Sequence, residues 1–125
     1  MSLNSERNTP YRKGELRTLV AGGTIYAGGL TAIDSTGKAV AAAPTSGAVV
    51  VGVAQNTVSS GGKVDVRRGV FPFDVVSGAS ITLADVGKTA YVTDDATVTP
   101  VSSGAAVKAG TVFDVDAEGV WVEVK

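Results

Sequence analysis

Acidic residues alternate near the C-terminus in the arrangement that comes nearest to a metal site in this chain. Asp114, Asp116 and Glu118 are followed by Gly119, as in the first half of a calcium-binding loop. The final ligand position of such a loop falls on Lys125, whose ammonium group cannot supply a bidentate carboxylate. The pattern therefore indicates a hairpin turn, and we predict no metal site.

Two serine–lysine pairs have the spacing of a nucleophile and its base. Ser35 with Lys38, and Ser60 with Lys63, match the Ser-x-x-Lys motif of penicillin-recognising enzymes. In those enzymes a helix brings both side chains to one face, whereas these pairs lie in glycine-containing turns. A structural role for both pairs is the better interpretation.

The chain has no His and no Cys. The usual general base near neutral pH is therefore missing, as are thiol catalysis and thiolate metal sites. Asp94 and Asp95 are adjacent, so their side chains point apart in a strand or turn. Asp74 with Asp94 is the remaining carboxylate pair for a hydrolase hypothesis. We predict that the protein is not an enzyme and has no catalytic residues, no cofactor and no small-molecule substrate.

Composition limits the classes of partner. Eleven Lys and Arg against 12 Asp and Glu give a net charge of −1, which argues against binding to nucleic acid. No apolar run approaches the roughly 20 residues of a membrane-spanning helix, and the N-terminus lacks a secretory signal. We therefore expect a soluble protein made in the cytoplasm. The 125 residues suit one domain whose core is lean, because the apolar residues are mostly Val and Ala.

Short Val-rich and Thr-rich runs separated by glycine predict the elements that carry these residues. Val120, Val122 and Val124 alternate with Trp121 and Glu123, which is typical of a half-buried antiparallel strand. The runs predict strands over residues 17–21, 30–34, 49–55, 63–68, 69–75, 90–93, 107–115 and 120–124.

The connections between these runs are short. Gly- and Ser-rich segments supply turns, and Thr82 is a candidate cap for one helical turn before Gly87. Pro72 cannot donate to a strand ladder, so its strand belongs at an edge or a bulge, or has that amide position facing outward. We predict an all-β fold: a small antiparallel β-barrel or β-sandwich, with at most one short helical turn.

The first residues have a different character. Residues 1–16 are polar and show no strand or helix periodicity, so we predict an extended, flexible N-terminal arm followed by a single β domain over residues 17–125. Basic and aromatic side chains on a flexible segment can dock on a partner and order there. The candidates for such binding are Arg7, Tyr11, Arg12, Lys13 and Arg17.

Several segments, taken in order, resemble the capsid cement, or head decoration, proteins of tailed bacteriophages. The resemblance covers roughly residues 19–125 and rests on the order and spacing of its pieces. These are Gly28-Gly29-Leu30, Gly52-Val53-Ala54, Gly62 with Val64-Asp65-Val66, Gly69-Val70-Phe71, the Gly87–Asp94 segment and the closing Val120–Val124 run.

The resemblance implies a β-rich virion protein that binds the outer surface of a phage or prophage capsid and stabilises the shell. It implies the major capsid protein as partner, a homotrimer as the assembly, and the capsid surface as the location, after synthesis in the cytoplasm of the bacterial host. The basic arm residues are then candidates for pairing with acidic capsid patches.

A second hypothesis is a phage tail-associated or fibre-associated β module that binds carbohydrate or protein. It needs an exposed aromatic platform, for which Tyr26, Tyr91 and Trp121 are the candidates.

Overall fold

The structure is a computed structural model that describes residues 15–44, 47–100 and 107–124. Its elements confirm the all-β prediction, with one 3-10 turn at Leu83–Asp85. The strands are β1 Leu16–Val20, β2 Leu30–Ile33, β3 Ala39–Ala41, β4 Val49–Ala54, β5 Lys63–Arg67, β6 Gly69–Val75, β7 Thr89–Val92, β8 Thr97–Thr99, β9 Lys108–Asp116 and β10 Gly119–Val124. Strand β1 begins one residue before the predicted start of the domain. Residues 1–14, which make up most of the predicted arm, lie outside the described residues.

The first sheet has the strand order β1-β5-β4-β2-β3 and is antiparallel throughout. Its two outer strands converge at one end. Ala21, just after β1, forms a bridge with Ala39 of β3, and the amide of Gly22 donates to the carbonyl of Ala39 at 2.7 Å. The sheet is therefore strongly curled and comes close to closing on itself.

The second sheet is a closed five-stranded barrel with the order β10-β6-β8-β7-β9. Its pairings are antiparallel except that between β6 and β8, where Asp74 pairs with Thr97 and Val75 with Val98 in a parallel register. The barrel is therefore mixed, whereas the sequence predicted antiparallel pairing. A parallel pair needs a crossover, and here residues 76–96, which include the 3-10 turn and β7, supply it.

Strand β4 lies between two hydrophobic cores. Val50 and Val53 belong to the larger core, which fills the barrel and the space between the sheets, and Val51 and Ala54 belong to the smaller core inside the curled first sheet. A bulge against β2 at this point shifts the register between Thr31 and Ala32. The bulge lets Val50 and Val53 share a core although they are three residues apart.

Pro72 occupies the kind of position that its missing amide predicts. It pairs with Trp121 of β10 on one side, while β8 joins β6 on the other side only from Asp74 onward. Pro72 therefore lies where β6 has a single neighbour. The 3-10 turn is also capped as the sequence predicted, since Thr82 and Asp85 form a reciprocal capping box.

Gly52 is required by the close approach of β4 and β5. Its φ is +156°, and a Cβ there would lie 2.6 Å from the carbonyl oxygen of Arg67 and 2.6 Å from a methyl carbon of Val66. Gly52→Ala should therefore destabilise the protein by about 2–4 kcal/mol, through overpacking and an unfavourable backbone conformation.

Chemical denaturation of the Gly52→Ala variant measures this loss. Gly23→Ala is the matched control, because a Cβ at Gly23 would have no atom within 4 Å. Equal stability of the two variants would show that the strands separate easily at Gly52.

Candidate binding surfaces

The structure describes one of the candidate arm residues. Arg17 is exposed in β1, opposite Val66 of β5. Arg7, Tyr11, Arg12 and Lys13 lie outside the described residues.

The outward side of β5 carries two further basic residues. Lys63 and Arg67 are both exposed, and Asp65 between them accepts a hydrogen bond from the Thr18 hydroxyl of β1 at 2.7 Å. Arg17 lies on the other face of the sheet, because its partner Val66 is buried, so the outward side of β5 carries Lys63 and Arg67 without Arg17.

The alternating acidic residues near the C-terminus form a hairpin turn, as predicted. Asp116 accepts hydrogen bonds from the amide of Glu118 at 2.8 Å and from the indole nitrogen of Trp121 at 2.9 Å. Asp114 accepts a bond from the amide of Val115. These hydrogen bonds stabilise the turn between β9 and β10. In residues 15–44, 47–100 and 107–124, no group of three or more His, Cys, Asp or Glu could hold a metal ion.

The turn that contains Ser35 and Lys38 is organised by an aspartate. Asp34 accepts hydrogen bonds from the amide and hydroxyl of Thr36, at 2.9 and 2.6 Å, and from the amide of Lys38 at 3.1 Å. These bonds, led by that of the Thr36 hydroxyl, hold the pKa of Asp34 below its ordinary value. The carboxylate thus fixes the turn between β2 and β3.

The larger hollow lies between the two sheets. This cleft of about 470 Å³ is lined by Val49 and Val50 of β4, Thr89 of β7, and several β9 residues with Glu123 of β10. Its charged lining residues are Lys108 and Glu123. It therefore lacks the convergent carboxylates that a hydrolase would need.

A shallower hollow of about 200 Å³ lies at one end of the barrel. Asp74 and Glu118 line it together with Pro72 and Gly28. Asp94 is not among its lining residues. The Asp94 carboxylate accepts a hydrogen bond from the amide of Ala96, within the turn between β7 and β8. The structure does not bring Asp74 and Asp94 together in one hollow.

The outer side of the barrel carries a row of apolar side chains across three strands. Trp121 of β10 is half-buried and lies between Pro72 of β6 and Asp114 of β9. Phe113 precedes Asp114 at a bulge, because the register of β9 against β10 shifts there. The bulge leaves the Phe113 ring 57% exposed.

The apolar row continues toward the 3-10 turn. The amide of Gly87 donates to the carbonyl of Val112, and the amide of Val112 donates to the carbonyl of Lys88, both at 2.9 Å. These bonds hold the turn beside β9, where Leu83 is 65% and Val86 46% exposed. The sequence did not predict this row. Alternation predicts that Val112 points inward, but it does not locate a bulge at Phe113. Exposed apolar residues in a turn, such as Leu83 and Val86, give no periodic pattern.

Carboxylates flank this row on its three strands, whereas Lys88, which pairs with Asp85 at 3.5 Å, lies at the end near the 3-10 turn. The three strands β6, β10 and β9 and the hairpin turn present Asp74, Asp114, Asp116, Glu118 and Glu123. Within residues 69–75 and 111–124 there is no Lys or Arg. We call this surface the acidic face. It consists of these five carboxylates and, between them, the apolar side chains of Pro72, Phe113 and Trp121.

The three aromatic candidates for a carbohydrate platform lie apart. Trp121 is on the acidic face, whereas Tyr91 is on β7, where it pairs with Thr99 and Lys108. Tyr26 is exposed in the connection between β1 and β2. The strand order separates Tyr91 from Trp121 by β9. No platform of all three rings is formed.

Comparisons with known proteins leave the family open. No protein-family model matches this chain, and no curated protein matches it significantly. A search of the described residues finds no helix with the length and apolar character needed to cross a bilayer.

The Asp34 turn predicts a contribution to stability that depends on pH. Because folding lowers the pKa of Asp34, its stabilisation is fully present above the ordinary value of 3.8 and is lost as the pH falls through the lower folded value. Asp34→Asn should therefore be less stable than wild type near pH 7, with the difference shrinking in acid. Chemical denaturation of both proteins near pH 7 and again in acid, below the ordinary pKa of 3.8, measures this difference in the free energy of unfolding.

Asp74→Asn is the control for removal of one negative charge outside this turn. A stability difference between Asp34→Asn and wild type that is as large in acid as at neutral pH would contradict the assignment.

Proposed function

We propose that this protein is a structural virion protein that binds the outer surface of a phage or prophage capsid and stabilises the shell. The observation that carries the proposal is where the resembling segments fall. Gly52-Val53-Ala54 ends β4, Val64-Asp65-Val66 lies in β5, Gly69-Val70-Phe71 begins β6, and Val120–Val124 lies in β10. These four pieces thus lie in strands, two in the first sheet and two in the barrel, as a β-rich virion protein of this kind would need.

The form of the described part supports an adhesive role. A closed barrel packed against a curled sheet gives a rigid body, and the larger described hollow has one carboxylate, Glu123, in its lining. The larger core is built chiefly from Val and Ala, with Phe73 as its one buried aromatic residue. Such a lean core favours further burial of apolar surface by association, which is consistent with the proposed homotrimer.

The proposed attachment uses the N-terminal arm together with Arg17. Arg7, Arg12 and Lys13 precede β1, and Arg17 lies exposed on β1 opposite Val66 of β5. These cations would pair with acidic patches of the major capsid protein, while Tyr11 adds apolar contact area. Three such arms on one trimer bind at high effective concentration, so modest contacts per subunit give slow dissociation.

Cosedimentation with capsids tests the attachment. The full chain and a variant lacking residues 1–14 are mixed with expanded capsids of the major capsid protein encoded with this chain. We expect the variant to lose roughly tenfold or more in apparent affinity, because each trimer would lose three contacts.

Lys38→Gln/Lys88→Gln is the control for altered charge, because it also lowers the net charge by two but on the domain and away from the arm. Undiminished binding of the shortened chain would remove the arm from the mechanism. A full chain that does not bind these capsids would contradict the proposal as a whole.

Trp121 supports the second candidate function, a tail or fibre module that binds carbohydrate or protein. The ring lies on the outer side of the barrel beside Pro72 and within reach of carboxylates that accept hydroxyl hydrogen bonds. A glycan array probed with wild type and Trp121→Ala tests it. A glycan that wild type binds and Trp121→Ala does not would favour this function over capsid binding.

A further inference from the structure

We propose that residues 1–14 of the free protein dock on the acidic face of the same chain. Three observations lead to this: the position where the segment joins the domain, the charges of segment and face, and the apolar row at the centre of that face. The docking concerns the protein in solution and goes beyond the proposed function.

The segment joins the domain close to the acidic face. The carbonyl of Glu15 accepts the amide of Arg68 at 2.7 Å, and Arg68 directly precedes β6. Pro72 lies four residues beyond Arg68, and Tyr11 four residues before Glu15. Each stretch spans roughly 13 Å when extended, so Tyr11 can reach the row formed by Pro72 and Trp121.

The side chain of Arg68 also indicates that the segment before Glu15 lies near the start of β6. Its Nε atom is buried and has no hydrogen-bond partner among the described residues. A buried donor is normally satisfied. A carbonyl or carboxylate from the segment that precedes Glu15 could accept this bond.

The charges of the two surfaces are complementary. Residues 1–14 contain Arg7, Arg12 and Lys13 against Glu6, a net charge of +2. The acidic face carries five carboxylates and no Lys or Arg within residues 69–75 and 111–124. Opposite charges around an apolar centre match the usual plan of an interface, in which aromatic contacts lie inside a polar rim.

The outward side of β5 is the less suitable place for this segment. It carries Lys63 and Arg67, so a cationic segment would meet like charges there. The same argument disfavours pairing of the segment with the β1 edge of its own sheet.

One consequence rests on the proposed function. If the arm binds the capsid, docking on the acidic face withholds it until a capsid competes for it. Asp114→Asn/Glu118→Gln should then bind capsids faster than wild type, because its arm is released. This consequence fails with the proposed function, whereas the docking itself is measured without capsids.

The single tryptophan of the chain, Trp121, reports the docking directly. We expect Arg12→Glu/Lys13→Glu, in the full chain, to raise the acrylamide quenching of Trp121 fluorescence by roughly twofold and to shift its emission to the red, because a covering segment leaves the ring. Molar salt should do the same to wild type, because it shortens the Debye length to about 3 Å.

Two further variants separate docking from a general charge effect. Asp114→Asn/Glu118→Gln removes carboxylates from the face and should reproduce the increase in quenching. Lys38→Glu/Lys63→Glu changes the net charge as much as the arm variant does, but on the first sheet, and should leave quenching unchanged.

Each other result would overturn the inference. Equal quenching in wild type and Arg12→Glu/Lys13→Glu would show that the segment does not cover Trp121. Quenching that depends on protein concentration would show that the segment docks on a second copy. An increase in the Lys38→Glu/Lys63→Glu control would show that only net charge matters.

Discussion

Strand β4 must be apolar on both faces, because it separates the two cores. Val50 and Val53 pack with the barrel, and Val51 and Ala54 pack with the inside of the curled sheet. A polar side chain at any of these positions would be buried without a partner in one core or the other. The run Val49–Ala54 is thus the segment on which both halves of the domain depend, and the barrel keeps its position on the sheet through it.

Small side chains follow from this arrangement. Two cores within 125 residues leave little thickness for each, so Ala, Val and Gly fill most interior positions. At Gly110 the strands are too close for any side chain, because a Cβ there would overlap the carbonyl of Glu123 on the neighbouring strand. Backbones that approach so closely draw much of their stability from continuous strand ladders. The barrel supplies such ladders around its circumference, except before Asp74, where β6 has one neighbour.

The all-β class and eight of the ten strands could be predicted from the sequence, because each of those strands carries at least four residues of pattern. Strands β3 and β8 could not, since three residues show neither alternation nor an apolar run. The parallel pairing of β6 with β8 was missed for the same reason. For the candidate sites, Trp121 was found from its residue type, whereas its neighbour Phe113 was not. The exposure of Phe113 depends on a bulge between β9 and β10, and the sequence gives no local sign of that register shift.

The free strand edges and the outer side chains set how this protein can be recognised. Among the described residues, β1 pairs on one side only along Leu16–Val20, and β6 has one neighbour before Asp74. A partner strand can add at these places. Side chains of the outer surfaces are the other means of binding. These surfaces differ in charge, with Lys63 and Arg67 on the outward side of β5 and carboxylates around Trp121 and Phe113 on the acidic face, so the two would favour binding surfaces of opposite charge.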